Sequence, residues 1–334
     1  MELDLDCRSI YNESGLFHYG SSRLDPLTDI VRLLRPRTVL LGSMAASGRW
    51  GVRLPEQPGP TFYVVVRGEC WFRSSDHPPV ALREGDYVLS SAPMTDEVVS
   101  APDARASLSD AAFKAERTID GELRLGDVAT PATTRVLGGL ILCDPGNADL
   151  LTGLLPRYVH VRASEDTGAR LRALLDLVRD ESDHDRPGRD AILSRLIEVM
   201  LVETVRHEAA AKAYPTGIVS GLADPQLARA LAHIHADVGR GWTIADLARR
   251  VGMSRSAFAR RFARAVGAAP LEYLLQWRMA LAKDALRHGR GSLDEIAALI
   301  GYQSASAFST AFKRYVGCPP SLYTGGPGEL GAGA

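Results

Sequence analysis

The chain has 334 residues, 46% of them hydrophobic and 24% charged, with 39 Lys+Arg against 40 Asp+Glu. This balance excludes a disordered polyelectrolyte and leaves enough apolar material for two or three folded domains. Four widely spaced cysteines (Cys7, Cys70, Cys143, Cys318) exclude a zinc framework and a disulfide-dense secreted scaffold. No apolar run approaches the roughly 18 residues of a membrane span, so a cytoplasmic protein is expected.

In chain order, residues 38–128 read as short β segments separated by Gly and Pro: "RTVLLGSM", "TFYVVV", "RGE", "CWFR", then "REGDYVLSS" after Pro78-Pro79. Short strands at close spacing predict a small barrel or sandwich. From Glu165 the period changes. Leu171, Leu174, Leu175 and Val178 share a helical face, and after "SDHDRPG" a second stripe runs through Ile192, Leu196, Ile197, Met200 and Leu201. "AKAYPTGIVSGLADP" then leads into a helical region, and the Gly-rich tail "TGGPGELGAGA" cannot order on its own.

The helical region repeats. Thr243, Ile244, Leu247, Ala248, Val251 and Gly252 match Ser292, Leu293, Ile296, Ala297, Ile300 and Gly301; Ser254, Phe258, Phe262, Gly267 and Pro270 match Ser304, Phe308, Phe312, Gly317 and Pro320. Thr243/Asp246 and Ser292/Glu295 have capping-box spacing, Gly252 and Gly301 stand where a helix ends, and Ser254 and Ser304 cap second helices. Their buried stripes are expected at Phe258, Phe262, Ala265 and at Phe308, Phe312, Tyr315. Two capped helices around a glycine form a helix-turn-helix, whose second helix enters the DNA major groove. A solenoid would need three or more copies, and there are two. Between them "PLEYLLQWRMALAKDALRHG" predicts a linker helix from Pro270 to about Arg287, long enough to place both second helices in successive grooves. Charge agrees: residues 222–323 hold 14 Lys+Arg against 7 Asp+Glu, and the remainder 25 against 33.

With Phe258 and Phe262 inward, the first unit presents Ser254, Arg255, Ser256, Ala259, Arg260 and Arg264. The second presents Ser304, Ala305, Ser306, Ser309, Thr310, Lys313 and Arg314. Arg260 is matched by Thr310. Arginine can read guanine bidentately, whereas Lys313 and Arg314 suit phosphate, so the first unit is expected to read bases and the second to anchor. The bland alternative is that Arg260 neutralises phosphate.

The tandem units, the linker helix and the closing "FKRYVGCPPSLY" resemble the AraC/XylS transcription regulators over residues 222–323. "TFYVVVRGECWF" and "LREGDYVLSSAP" resemble the cupin-like effector domain that precedes such DNA-binding domains. The resemblance implies an α+β chain: a cupin-like β-barrel regulatory domain (1–163), a helical connecting and dimerisation segment (164–210), a linker (211–221), an all-α tandem helix-turn-helix domain (222–323) and a tail (324–334). It implies promoter DNA, a small-molecule effector, a second copy of the chain and RNA polymerase as partners, with activation of transcription the expected mode. At the positions where metal-binding cupins carry histidines this sequence has Tyr63, Val65 and Asp96, which is no metal site, so neither metal, cofactor nor enzyme activity is expected. An effector pocket is expected from Trp50, Tyr63, Val65, Trp71, Phe72, Tyr87 and Asp96, with a filled barrel as the alternative for Tyr63. His233 and His235 lie about 200° apart on a helix and cannot chelate one metal from one face. Two other readings stay open: a redox switch through Cys70 and Cys143, and a cupin enzyme tethered to DNA.

Overall fold

The computed structural model describes residues 25–323, apart from 75–76, 92–94, 111–112, 115–116, 120–121, 148–157, 164–168 and 212–215. The tail, Cys7 and the start of the chain, on which expectations were stated above, lie outside the described residues. Two compact units emerge, neither of them continuous in sequence: one spans 36–143 and 155–208, the other 1–35, 144–154 and 209–334.

Among the described residues the first unit holds twelve strands. They are β1 Arg37–Ser47, β2 Gly51–Arg53, β3 Thr61–Arg67, β4 Glu69–Ser74, β5 His77–Arg83, β6 Tyr87–Ser90, β7 Glu97–Val99, β8 Ser107–Leu108, β9 Thr118–Ile119, β10 Glu122–Gly126, β11 Thr134–Leu142 and β12 Tyr158–Val161. Seven form one sheet in the order β12-β6-β3-β11-β1-β10-β9, and five the other in the order β5-β4-β7-β2-β8. Strand alternation turns one face of each sheet inward. Met44, Ala46, Tyr63, Val65, Val88, Leu125 and Val136 of the larger sheet meet Val52, Cys70, Phe72, Leu82 and Val98 of the smaller in one buried cluster. Helices α2 (Ala169–Asp183) and α3 (Arg189–Ala211) belong to the outer face of the larger sheet, where Glu198 of α3 accepts from the Thr38 amide at 3.3 Å.

The α3 stripe differs from the sequence expectation by one position: Leu193, not Ile192, is buried, with Ile197, Met200, Leu201 and Val205, and Ile192 is 46% exposed. Leu171, Leu175 and Val178 of α2 are buried as expected.

The second unit holds a helix that the reading of residues 1–163 as one domain passes over. Helix α1 (Pro26–Leu34) starts with Asp25 accepting from the Leu27 amide and with Pro26 at its first position, and buries Leu27, Ile30, Leu33 and Leu34. It ends at Arg35 in the left-handed region (φ 45°), the one non-glycine there among the described residues. Pro36 disfavours such a conformation further, and residues held this way typically cost ~1–3 kcal/mol. The remaining helices are α4 Ile218–Ala223, α5 Pro225–Ala236, α6 Ile244–Arg250, α7 Arg255–Val266, α8 Pro270–Arg287, α9 Leu293–Leu299 and α10 Ala305–Val316. Helix α4 falls partly in the segment read as linker. His235, fully buried on α5, bonds the Tyr273 hydroxyl at 2.7 Å and Asp29 of α1 at 3.3 Å and stacks on Trp277 at 4.2 Å. It is therefore a core histidine, and burial holds its pKa below the ordinary value despite Asp29. Among the described residues no helix is long and apolar enough to cross a membrane.

Candidate nucleic-acid interface

Helices α6 and α7 form the first helix-turn-helix unit and α9 and α10 the second. Each start is capped by the residue that the repeat identified. Thr243 accepts from the Asp246 amide at 3.1 Å, Ser254 from Ala257 at 3.3 Å, Ser292 from Glu295 at 3.3 Å and Ser304 from Ala307 at 3.2 Å. At Ser292 the box is complete, Glu295 reaching back to the Ser292 amide at 2.6 Å. Gly301 (φ 81°) is required twice over: its backbone is left-handed, and a Cβ there would lie 2.2 Å from the Gly239 carbonyl oxygen.

Phe258 and Phe262 of α7, and Phe308 and Phe312 of α10, are fully buried, each pair with ring centroids 5.5 Å apart. Burying one such ring contributes about 1.5–3 kcal/mol, which fixes the rotation of each second helix about its axis. Tyr315, expected in the second stripe, is 46% exposed instead; Val316 closes the helix and Tyr323 of the following turn packs on Phe312 at 5.4 Å.

That rotation leaves Ser254, Arg255, Ser256, Arg260 and Arg264 exposed on the first unit, with Ala259 half-buried between them. On the second, Ser304, Ser306, Thr310, Lys313 and Arg314 are exposed and Ala305 and Ser309 half-buried. Arg255, Arg260 and Arg264 make no ion pair among the described residues, in contrast to neighbouring Arg261, which pairs with Asp224 at 2.6 Å and bonds Gln226 at 2.9 Å. Thr310 is partly committed to its own helix, donating to the Ser306 carbonyl at 3.0 Å. The arginine asymmetry of the sequence is therefore an asymmetry of exposed, unpaired charge.

The structure adds a basic group that the sequence reading passes over. Arg240 and Arg250, both exposed, lie over the Trp242 ring at 4.5 and 5.2 Å. The loop that carries Arg240 is fixed by Arg278 of α8, which donates to the carbonyls of Val238 and Arg240 at 2.9 Å each. The field there is positive: partial burial, then Arg250, Arg229 and Arg240, hold the His233 pKa below its ordinary value. The signal was the sequence "RGW" beside "ARR", legible only once the chain folds Arg250 back over the tryptophan.

Of the residues expected to line an effector pocket, Trp50, Tyr63, Val65 and Phe72 do meet in the interior cluster of the two-sheet unit. Trp71 and Tyr87 do not. Each lies one position along its strand from a cluster residue and turns to the opposite face, Trp71 half-buried and Tyr87 toward Thr204. The interior is filled by side chains: Tyr63 packs on Phe72 with centroids 5.5 Å apart, and Phe72 stacks on Tyr158 at the same distance. Its polar centre is Asp96, 2% exposed, which accepts from Thr61 at 2.7 Å, Tyr63 at 3.2 Å and Ser90 at 3.4 Å. Burial raises the Asp96 pKa in spite of those three donors, and burial with the Asp96 charge raises that of Tyr63. Cys70 lies in the same cluster, its thiol pushed up to about 12 by burial and by Asp86 and Glu69. So little thiolate exists near neutral pH that the redox reading gains nothing here.

Comparison with known proteins agrees with both halves. A cupin family model matches residues 25–210 and a helix-turn-helix domain model matches 247–325. A protein of Streptomyces lividans described as an AraC-like transcription regulator is 37% identical over 302 residues, covering 90% of this chain and 98% of that protein. The HTH-type transcriptional regulator AlkR of Acinetobacter baylyi is 32% identical, over 83% and 91% of the two chains. Among solved structures, the DNA-binding domain of the global transcriptional factor AdpA in complex with a target DNA is 34% identical, covering 30% of this chain and 90% of that one, with a TM-score of 0.28.

Proposed function

Because the chain belongs to the AraC-like transcription regulators, DNA-binding proteins with a cupin N-terminal domain, we propose that its two helix-turn-helix units divide the work of operator recognition. The first reads bases through Arg260, flanked by Arg255, Ser256, Ala259 and Arg264 beyond the Ser254 cap. The second holds the backbone through Lys313 and Arg314, with Ser304, Ala305, Ser306, Ser309 and Thr310 on its approach. The observation that carries this reading is Arg260: exposed in mid-helix, unpaired among the described residues, and matched by a threonine in the second unit. Arginine on a guanine edge discriminates by ~1–3 kcal/mol, which a lone hydroxyl does not approach. Arg240 and Arg250, held on Trp242, are pre-ordered cations suited to phosphate. Selection of binding sites from random-sequence DNA by the full chain tests this. A strongly specified half-site beside a weakly specified one is expected, and two equally specified half-sites would refute the division.

The N-terminal unit is the regulatory part in this reading, with a small-molecule effector as its input. The support is the cupin family match over residues 25–210, together with a single polar centre, Asp96, in an otherwise apolar interior that side chains fill in this structure. Self-association belongs to the α2–α3 pair, which leaves Leu177, Ile192 and Val199 exposed. Replacing Leu177 and Val199 by Asp should convert a dimer to a monomer in light scattering. A wild-type monomer would remove this element.

A further inference from the structure

Near the C-terminal end of α8 lies a cluster of ionisable side chains around the buried Asp284. Asp284, with its side chain 6% exposed, lies 3.2 Å from each of Arg35, His288 and Arg290. Asp144, 7% exposed, lies 3.2 Å from Arg287 and 3.7 Å from His288. Asp144, Asp284 and His288 have the composition of a metal site, but the three arginines already balance the two carboxylates, so the cluster is an ion-pair network.

Two features give this network a role beyond holding a helix end. The first is what it holds. Between α8 and α9 the chain turns through residues 288–292, and two of the five are left-handed glycines, Gly289 (φ 59°) and Gly291 (φ 82°), with nothing near a Cβ at Gly289. Backbone bonds from the Gly289 and Arg290 amides to the carbonyls of Leu286 (3.3 Å) and Ala285 (2.9 Å) close the turn at the helix end, and the side chains of the corner add the contacts that hold it against the rest of the unit. Arg290 and His288, the two long polar side chains of the corner, are the ones that Asp284 binds. The second is where the other partners come from. Arg35 is the last residue before Pro36 and β1, and Asp144 lies two residues past the end of β11; the Asp144 amide donates to the Leu34 carbonyl at 2.9 Å, tying the two together. Arg35 reaches Asp284 and His288 while its backbone is held in the left-handed region noted above.

We propose that Arg35, Asp144 and Asp284 are positioning residues that set the angle of the α8–α9 corner, and with it the spacing between half-sites that the two recognition helices accept. The chain segments that root the cupin domain thus define how the second helix-turn-helix unit sits relative to the first. This rests on the two-half-site reading of the preceding subsection.

The test uses the full chain, its selected operator, and the same operator with one base pair inserted between the half-sites, which displaces one from the other by about 35° and 3.4 Å. The wild-type protein should lose about tenfold or more in affinity on the inserted site, as for a mismatched contact. Arg35→Gly removes the side chain while relieving the backbone, so the fold should persist; Asp284→Asn removes the central charge. With the corner loosened, the best-site affinity should fall while the inserted-site affinity holds, shrinking the penalty below about threefold. Arg35→Lys should restore part of it. A merely structural role would lower both affinities together and leave their ratio unchanged, and that result in Arg35→Gly would overturn the inference alone. A chain with no paired half-sites in its operator would overturn both this and the reading it rests on.

Discussion

Replacing Arg260 by Ala is the sharpest perturbation of the proposed interface. The side chain is exposed, has no ion-pair partner among the described residues, and sits on a helix already capped by Ser254 and held by Phe258 and Phe262. Removing it should change folding stability by no more than about 0.5 kcal/mol. A lost bidentate contact to guanine is worth ~1–3 kcal/mol, or roughly 5- to 150-fold in Kd on the selected operator. On scrambled DNA the loss is limited to one phosphate's worth of charge, a reduction of about 0.9 in the slope of log K against log salt. Arg261→Ala is the paired control. Its guanidinium is engaged by Asp224 and Gln226, and the ion pair is partly exposed, so it should cost at most about 1 kcal/mol of stability and leave the ratio of specific to scrambled binding unchanged. Fluorescence anisotropy on both DNAs measures the ratios. Equal loss on the two DNAs for Arg260→Ala would mean that Arg260 only neutralises phosphate.

Other parts of the structure make independent predictions. Phe308→Ala should destabilise the second unit by about 3–5 kcal/mol in denaturant unfolding of the full chain, since its ring is fully buried against Phe312. Ser292→Ala should cost about 1 kcal/mol by the same measurement, through loss of the hydroxyl that accepts from the Glu295 amide, while the backbone half of the box is kept. Asp96 has its pKa raised by burial, so it favours the folded state below the ordinary carboxylate value, and this is lost as pH rises through its folded pKa. Wild-type stability should therefore fall relative to Asp96→Asn as pH rises above the ordinary carboxylate value of about 4 in urea titrations; a constant difference would refute the burial argument. Cys70, with its thiol pushed up to about 12, should resist alkylation in the native protein at neutral pH and react once unfolded, as peptide mass mapping would reveal.

The helix-turn-helix units were legible because their signals are local. A serine or threonine followed three residues later by an acid, a glycine just past an apolar position, and phenylalanines four apart each act within one turn of chain. The miss at Tyr315 came where the helix ends and the outer turn, carrying Tyr323, supplies the packing instead. Ile192 and Leu193 are equally apolar neighbours, and only the sheet beneath α3 decides which is covered. Trp71 was misplaced because Cys70 and Phe72 on either side of it are equally apolar, and Tyr87 because β6 is buried on both faces, so that an aromatic there reads identically whichever face it takes. Helix α1 had its cap and proline in sequence, Asp25 and Pro26, but its partner Asp29–His235 spans 206 residues, and no local pattern assigns it to the C-terminal unit. Nor could the network around Asp284 be read in advance, because its members come from three distant stretches of chain.

The central claim is that this chain binds one operator by base reading in addition to charge. The most direct measurement titrates the full-length protein against DNA upstream of its own and neighbouring genes and against random DNA, at several salt concentrations. The account predicts one fragment bound about a thousandfold or more tighter than random DNA, with log K falling steeply against log salt on both. Equal, weak binding to every fragment, both by the full chain and by residues 222–323 alone, would contradict it.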